Sequence, residues 1–181
     1  AQAIGALQKG FEKAGGGTTE SIFLVDHKLQ RCLQCEVDGW GICKSEGVCI
    51  IKDDFPAIVQ KVRAADILIF ANPVYFGDLS DSLRSFLDRL RRIGFGRTKM
   101  AGGGVGIGGV PAVGLSLSGG GGGGAPGAAV NLERIMLGCG YDVVDIVLLR
   151  RQNFEMKLPI LELTGAWLAT KPTSGPGGPP R

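Results

Sequence analysis

Apolar positions along this chain switch between two periods. Ile4, Leu7 and Phe11 recur at helical spacing over residues 1–15, and Gly15, Gly16 and Gly17 end that helix. Residues 21–25 are β-rich and predict a short strand. Residues 28–54 show little period, with Gly39, Gly41 and Gly47 as punctuation, and predict a long loop of the kind that carries function. Asp53 or Asp54 caps a helix over 55–65, with Pro56 in its first turn, where a missing N–H is harmless. The continuous apolar run at 67–71 predicts a strand buried on both faces of a parallel sheet, ended by Pro73. Leu83, Phe86, Leu87 and Leu90 then share one helical face that stops near Ile93. A glycine-rich connector at 94–109 precedes a strand at 110–117 and six consecutive glycines at 119–124. A helix from 126–128 to Gly138 or Gly140, a strand at 141–149 and a helix at 158–169 complete the pattern.

Strands alternating with helices make this an α/β chain with an open parallel sheet and helices on both faces. One domain is expected over 1–170, with the Pro/Gly-rich residues 171–181 as a disordered tail. The alternation opens on a helix, whereas such a sheet has a strand ahead of it. The first strand is therefore expected to be absent from this chain. The 181 residues, 44% hydrophobic and 20% charged, have the composition of a globular protein. A net charge of +3 is too small to argue for nucleic acid. No apolar run reaches membrane-span length and no signal peptide opens the chain, which places the protein in the cytoplasm and away from membranes.

Candidate chemistry gathers at three loops. Residues 72–77 and 119–124 each follow an apolar strand and precede a helix, so they share one edge of the sheet, where α/β proteins bind ligands. Tyr75 and Phe76 offer a surface for a planar ligand; the bland alternative is a hydrophobic plug. The glycines free backbone amides for close approach, or else form a flexible linker. The third loop holds Cys32, Cys35, Cys43 and Cys49, spaced C-x2-C-x7-C-x5-C. Four thiolates within so short a stretch suit a four-iron cluster or zinc, with unliganded thiols as the alternative. Cys139 reads as a small buried side chain and His27 as a surface or structural residue. Asp53 and Asp54 read as a helix cap rather than an acid pair. There is no phosphate-binding G-x-x-x-x-G-K-[ST], and a run of pure glycine satisfies G-x-G-x-x-G trivially.

The run Asn72-Pro73-Val74-Tyr75-Phe76-Gly77, followed by Phe86-Leu87-Asp88-Arg89, resembles the flavodoxin-like NAD(P)H-dependent FMN reductases. The cysteine loop with Lys52-Asp53-Asp54 resembles the branch that includes iron-sulfur flavoproteins. The resemblance covers residues 1–149. It implies a flavodoxin-like sheet, bound FMN, and electron transfer from NAD(P)H to a small-molecule acceptor, in a homodimer or higher homo-oligomer. Residues 72–77 would wrap the flavin, and Gly119, Gly120, Gly121 and Gly122 would line the other side of its ring. Cys32, Cys35, Cys43 and Cys49 occupy the place of the family's [4Fe-4S] ligands, with a wider second gap. No side chain is expected to act as acid or base, so none is named catalytic. The family's phosphate loop, between its first strand and first helix, has no counterpart here. Two other readings remain: a non-catalytic flavin and iron-sulfur electron carrier, and a zinc-bound interaction module that has lost flavin.

Overall fold

The computed structural model describes residues 1–98 and 108–170. The expected tail, and most of the expected connector at 94–109, lie outside them. Three parallel strands, β1 (Leu68–Pro73), β2 (Pro111–Ser118) and β3 (Asp142–Arg150), form one sheet in that order. Leu68 pairs with Ala112 and Pro73 with Leu117, so β1 and β2 end level. A register shift at Ala112/Val113 brings Ser118 opposite Arg150.

Among the described residues five helices cover the sheet: α1 (Gln2–Lys13), α2 (Phe55–Ala64), α3 (Asp81–Thr98), α4 (Ala125–Cys139) and α5 (Phe154–Ala169). The strand period of two divides the core. Phe70 and Ala112 point toward a cluster containing Phe55, Leu87, Leu90 and Leu132 from α2, α3 and α4. Val113, Leu115, Val147 and Leu149 point the other way, toward Leu7, Leu161 and Leu168 of α1 and α5. On that second face α1 and α5 touch backbone to backbone. A Cβ at Gly10 would stand 1.8 Å from the Glu162 carbonyl oxygen, and one at Gly165 would stand 2.0 Å from that of Leu7. Lys9 and Lys13 flank the crossing and donate to the Glu162 carboxylate at 2.9 and 2.8 Å.

Residues 21–25 correct the sequence reading: they form no strand, only a 3-10 turn at Leu24–Asp26. Ile22 and Leu24 pack on the core while Phe23 and Val25 stay exposed. Half-burial alone accounts for the alternation, and without a neighbouring ladder an alternating segment is not a strand. Two helix limits also move. Helix α3 continues to Thr98 rather than stopping near Ile93. Helix α5 starts at Phe154 rather than at 158, and carries Pro159 in its interior.

Candidate functional site

The ends of the three strands open onto one cleft of about 1120 Å³. Its walls are Pro73 to Gly77 at the end of β1, Ser118, Gly119, Gly120, Gly123 and Gly124 at the end of β2, and Arg151, Phe154 and Glu155 after β3. The first wall is a tight turn. The amide of Val74 still donates to Leu117 O at 2.8 Å, extending the ladder by one residue. Tyr75 and Asp78 then exchange backbone hydrogen bonds at 3.2 and 3.0 Å around Phe76 and Gly77. Both central residues have positive φ, +49° and +80°, as a primed two-residue turn requires. A phenylalanine in that conformation is strained by about 1–3 kcal/mol. Phe76 is nonetheless fully exposed and Tyr75 is 62% exposed, so neither plugs the core.

Asp78 fixes this turn to two helices. Its Oδ1 accepts from the Leu79 amide at 2.8 Å and from Asn131 Nδ2 of α4 at 3.0 Å, with Arg84 of α3 nearby. The Leu79 amide chiefly, helped by Asn131 and Arg84 and opposed by partial burial, holds its carboxyl below the usual range. The glycine loop meets the turn directly. Gly124 has φ +77°, and a Cβ there would stand 2.6 Å from Gly77 Cα. The loop is not a free linker: Gly122 N–H donates to Gly119 O, Arg151 Nε to Gly120 O and Gln152 Nε2 to Gly121 O. The amides of Gly120, Gly121 and Gly123 have no partner among the described residues and stand beside the N-terminus of α4.

Of the sequence-derived residues, Pro73, Val74, Tyr75, Phe76, Gly77, Gly119 and Gly120 line the cleft. Asn72 does not; it is buried, and its Oδ1 accepts from the Ser80 amide ahead of α3 at 2.9 Å. Gly121 and Gly122 stand behind the lining, where Gln152 meets them. Gly123 and Gly124, part of the glycine run placed at this edge by sequence, line it too, whereas sequence reasoning missed Ser118, Arg151, Phe154 and Glu155. The same strand-end argument, applied to the β3–α5 junction, reaches Arg151 and its neighbours. Ser118 Oγ and Asn72 Nδ2 are buried without a hydrogen-bond partner among the described residues.

Cys32, Cys35, Cys43 and Cys49 line a second, small cavity of about 20 Å³ together with Trp40, Arg89 and Arg92. No three metal-binding side chains stand at ligating separation among the described residues. The neck of this loop is closed by the two aspartates. Asp54 Oδ2 accepts from Lys28 N, and Asp53 Oδ2 accepts from Gln30 N, at 2.8 and 2.9 Å. Asp53 Oδ1 also accepts from Phe55 N at 3.2 Å, while Asp54, the N-cap, makes no side-chain cap bond. His27 is exposed, with its Nδ1 3.5 Å from Asp54 Oδ2. Arg89, 1% exposed, grips Asp53 with both Nη atoms at 2.6 and 3.0 Å, donates to Gln30 O, and stacks 4.0 Å above the Phe55 ring. Burial alone would raise the Asp53 carboxyl, but Arg89 and the amides of Gln30 and Phe55 prevail and hold it low. Burial likewise opposes the charge on Arg89; Asp53 and the nearby Cys49 sulfur outweigh it and raise its pKa. Cys139 is buried at the end of α4, and desolvation pushes its thiol up to about 12.

Comparison with known proteins decides the family. Residues 1–145 match the model of the NADPH-dependent FMN reductases. The chain belongs to that family. This FMN reductase-family chain is 42% identical over 95 residues to an iron-sulfur flavoprotein of Methanocaldococcus jannaschii, covering 51% of this chain and 47% of the relative. It is 34% identical over 107 residues to an iron-sulfur flavoprotein of Methanosarcina thermophila, covering 58% and 50%. The chain thus spans about half the length of these curated relatives. Its fold is that of the azoreductase AzrA, with a TM-score of 0.56 at 16% identity over 94% of this chain and 92% of the other. It is also that of RosB, with a TM-score of 0.55 at 18% identity over 93% and 72%. The flavodoxin-like fold expected from the sequence is confirmed, with three parallel strands in one open sheet.

Proposed function

We propose that this chain binds FMN in the strand-end cleft and serves an oxidoreductase that passes electrons from NAD(P)H to a small-molecule acceptor. The observation that carries this reading is the strained turn at residues 75–78. Strain of this size in an exposed aromatic persists where surrounding structure enforces it and function uses it. The cleft fits the group in three respects. Tyr75 and Phe76 give an aromatic wall for a planar ring. The orphaned Ser118 Oγ and the amides of Gly120, Gly121 and Gly123 offer hydrogen bonds to a heteroatom-rich edge. The cleft volume suits a cofactor-sized ligand.

When bound, the flavin supplies the hydride and electron chemistry. The protein's own groups orient it and set the local field. The N-terminus of α4 opens beside the glycine loop, where its dipole favours negative charge. Arg151, tied by Nε to Gly120 O, is the cation of the cleft wall. Asn72 acts at one remove, anchoring the start of α3 through Ser80. The exposed rim at Phe76 suits cover by a second subunit of a cytoplasmic homo-oligomer.

The cysteine loop serves as a thiolate-ligated centre, an iron-sulfur cluster in this reading. Four sulfurs around one cavity support it, as do relatives named iron-sulfur flavoproteins. The thiols must draw together to hold any metal, because no three of them do so here.

The test is anaerobic purification of the chain, addition of FMN, and gel filtration with a visible spectrum. Co-migrating flavin absorbance is expected, and NADPH should bleach it. A chain that retains no FMN at micromolar concentration overturns the assignment. Bound flavin that NADPH cannot reduce would identify an electron carrier instead.

A further inference from the structure

We infer that the outer face of α5 is a dimer seam, on which α5 of a second copy of this chain lies antiparallel. The inference rests on the proposed homo-oligomer and says which face joins it, with no part played by flavin or metal. The inner residues of α5, Leu161, Gly165 and Leu168, are buried against α1 and the sheet. Its outer residues Met156, Ile160, Leu163 and Trp167 are exposed, Leu163 by 71%. The helix is thus apolar on both sides, and a helix of that kind belongs in an interior.

The spacing says what covers it. Intervals of four, three and four residues are those of a coiled-coil seam, which receives another helix. The seam is also self-complementary. Laid antiparallel on itself, it sets Met156 of one copy against Trp167 of the other, and Ile160 against Leu163. A two-fold axis through the centre repeats both layers, as an isologous dimer requires.

Charge agrees with this direction. Between Met156 and Trp167 the charged residues are Lys157 and Glu162. Glu162 is turned away, toward Lys9 and Lys13 of α1. Lys157 flanks the seam, and antiparallel pairing sets it near the C-terminal end of the partner helix. The dipole is negative there, and no basic residue stands in that last turn. Parallel pairing would instead bring the two Lys157 side chains to the same end. Each helix is already braced by α1 at Gly10 and Gly165, so pairing need not order it.

The seam also reaches the cleft. Phe154 and Glu155 line the cleft and directly precede Met156. Seated on Met156, Trp167 of the partner subunit stands only ~3 Å along the axis from Phe154, at the rim of the cleft.

The test is sedimentation equilibrium of the full chain, without FMN or added metal, with circular dichroism checking each fold. Wild type should be a dimer at micromolar concentration. Ile160→Glu and Leu163→Lys, each alone, should weaken the dimer by about thirtyfold or more, the loss expected at a central interface residue. Mixed, the two variants should form a dimer tighter than either makes alone. Antiparallel pairing sets the new carboxylate against the new ammonium in one layer and leaves the other layer native. A monomeric wild type, a dimer that neither substitution weakens, or a mixture no tighter than its components overturns the seam. None of these outcomes touches the FMN assignment, which the flavin spectrum reads separately.

Discussion

At the scale of single residues, strain and charge locate function. Phe76 occupies a backbone conformation that asparagine tolerates far better. Phe76→Asn is therefore expected to leave stability unchanged or raise it by up to about 1 kcal/mol, while weakening FMN binding. Urea unfolding and flavin fluorescence titration read the two effects, and parallel losses would contradict the assignment. Gly124→Ala combines positive φ with a collision against Gly77. The conformation alone costs about 1–2 kcal/mol, and the displaced loop should weaken FMN binding. Asp53 gives a pH signature. Its folded pKa is depressed, so its contribution is fully present above the unfolded value and is lost as pH falls through the folded one. Wild type should lose stability on acidification below about pH 4. Asp53→Asn, already weakened by about 3–5 kcal/mol for the abandoned Arg89, should lack that component in denaturation curves taken across the acid range. The aromatic–glycine turn was legible in the sequence because Pro73, Tyr75, Phe76 and Gly77 each carry a local signal. Ser118 and Arg151 were not, since a serine at a strand end and an arginine after one look ordinary until a fold brings their loops together.

At the scale of elements, apolar period located the helices and all three strands of the sheet. It failed where burial and pairing part company. Residues 21–25 alternate as a strand does, yet a ladder is a relation between two segments and one segment's pattern cannot supply it. The last helix begins four residues earlier than its pattern predicts, and α5 continues through Pro159, held on one side by Leu161, Gly165 and Leu168. The crossing of α1 and α5 was invisible beforehand, because Gly10 and Gly165 lie far apart in the chain. Gly165→Ala is expected to destabilise the protein by about 1–3 kcal/mol through overpacking, and to expose α1 to protease ahead of the sheet. Chemical denaturation and timed proteolysis measure it; unchanged α1 protection would mean the helices separate at no cost.

At the scale of the whole molecule, the chain has two chemical places on one scaffold, a wide cleft at the strand ends and a narrow cavity under the cysteine loop. Thiol labelling should distinguish the cysteines accordingly. In the metal-free folded protein Cys35, exposed, should react first, and Cys139 should react only on unfolding, its buried thiol being held protonated at neutral pH. Mass spectrometry of timed alkylation gives the order. The two places were each readable in the sequence, but their spatial relation was not. Helix α3 supplies that relation. It begins at Asp81, just past the turn at residues 75–78, and reaches Arg89 about 12 Å along its axis at ~1.5 Å per residue. Leu83, Phe86, Leu87 and Leu90 bolt this rod into the core, so it can neither stretch nor swing. The separation of the two places is thus a machined dimension. Substitutions in either loop can reshape the cleft or the cavity, whereas the gap between them yields only to changes in the rod.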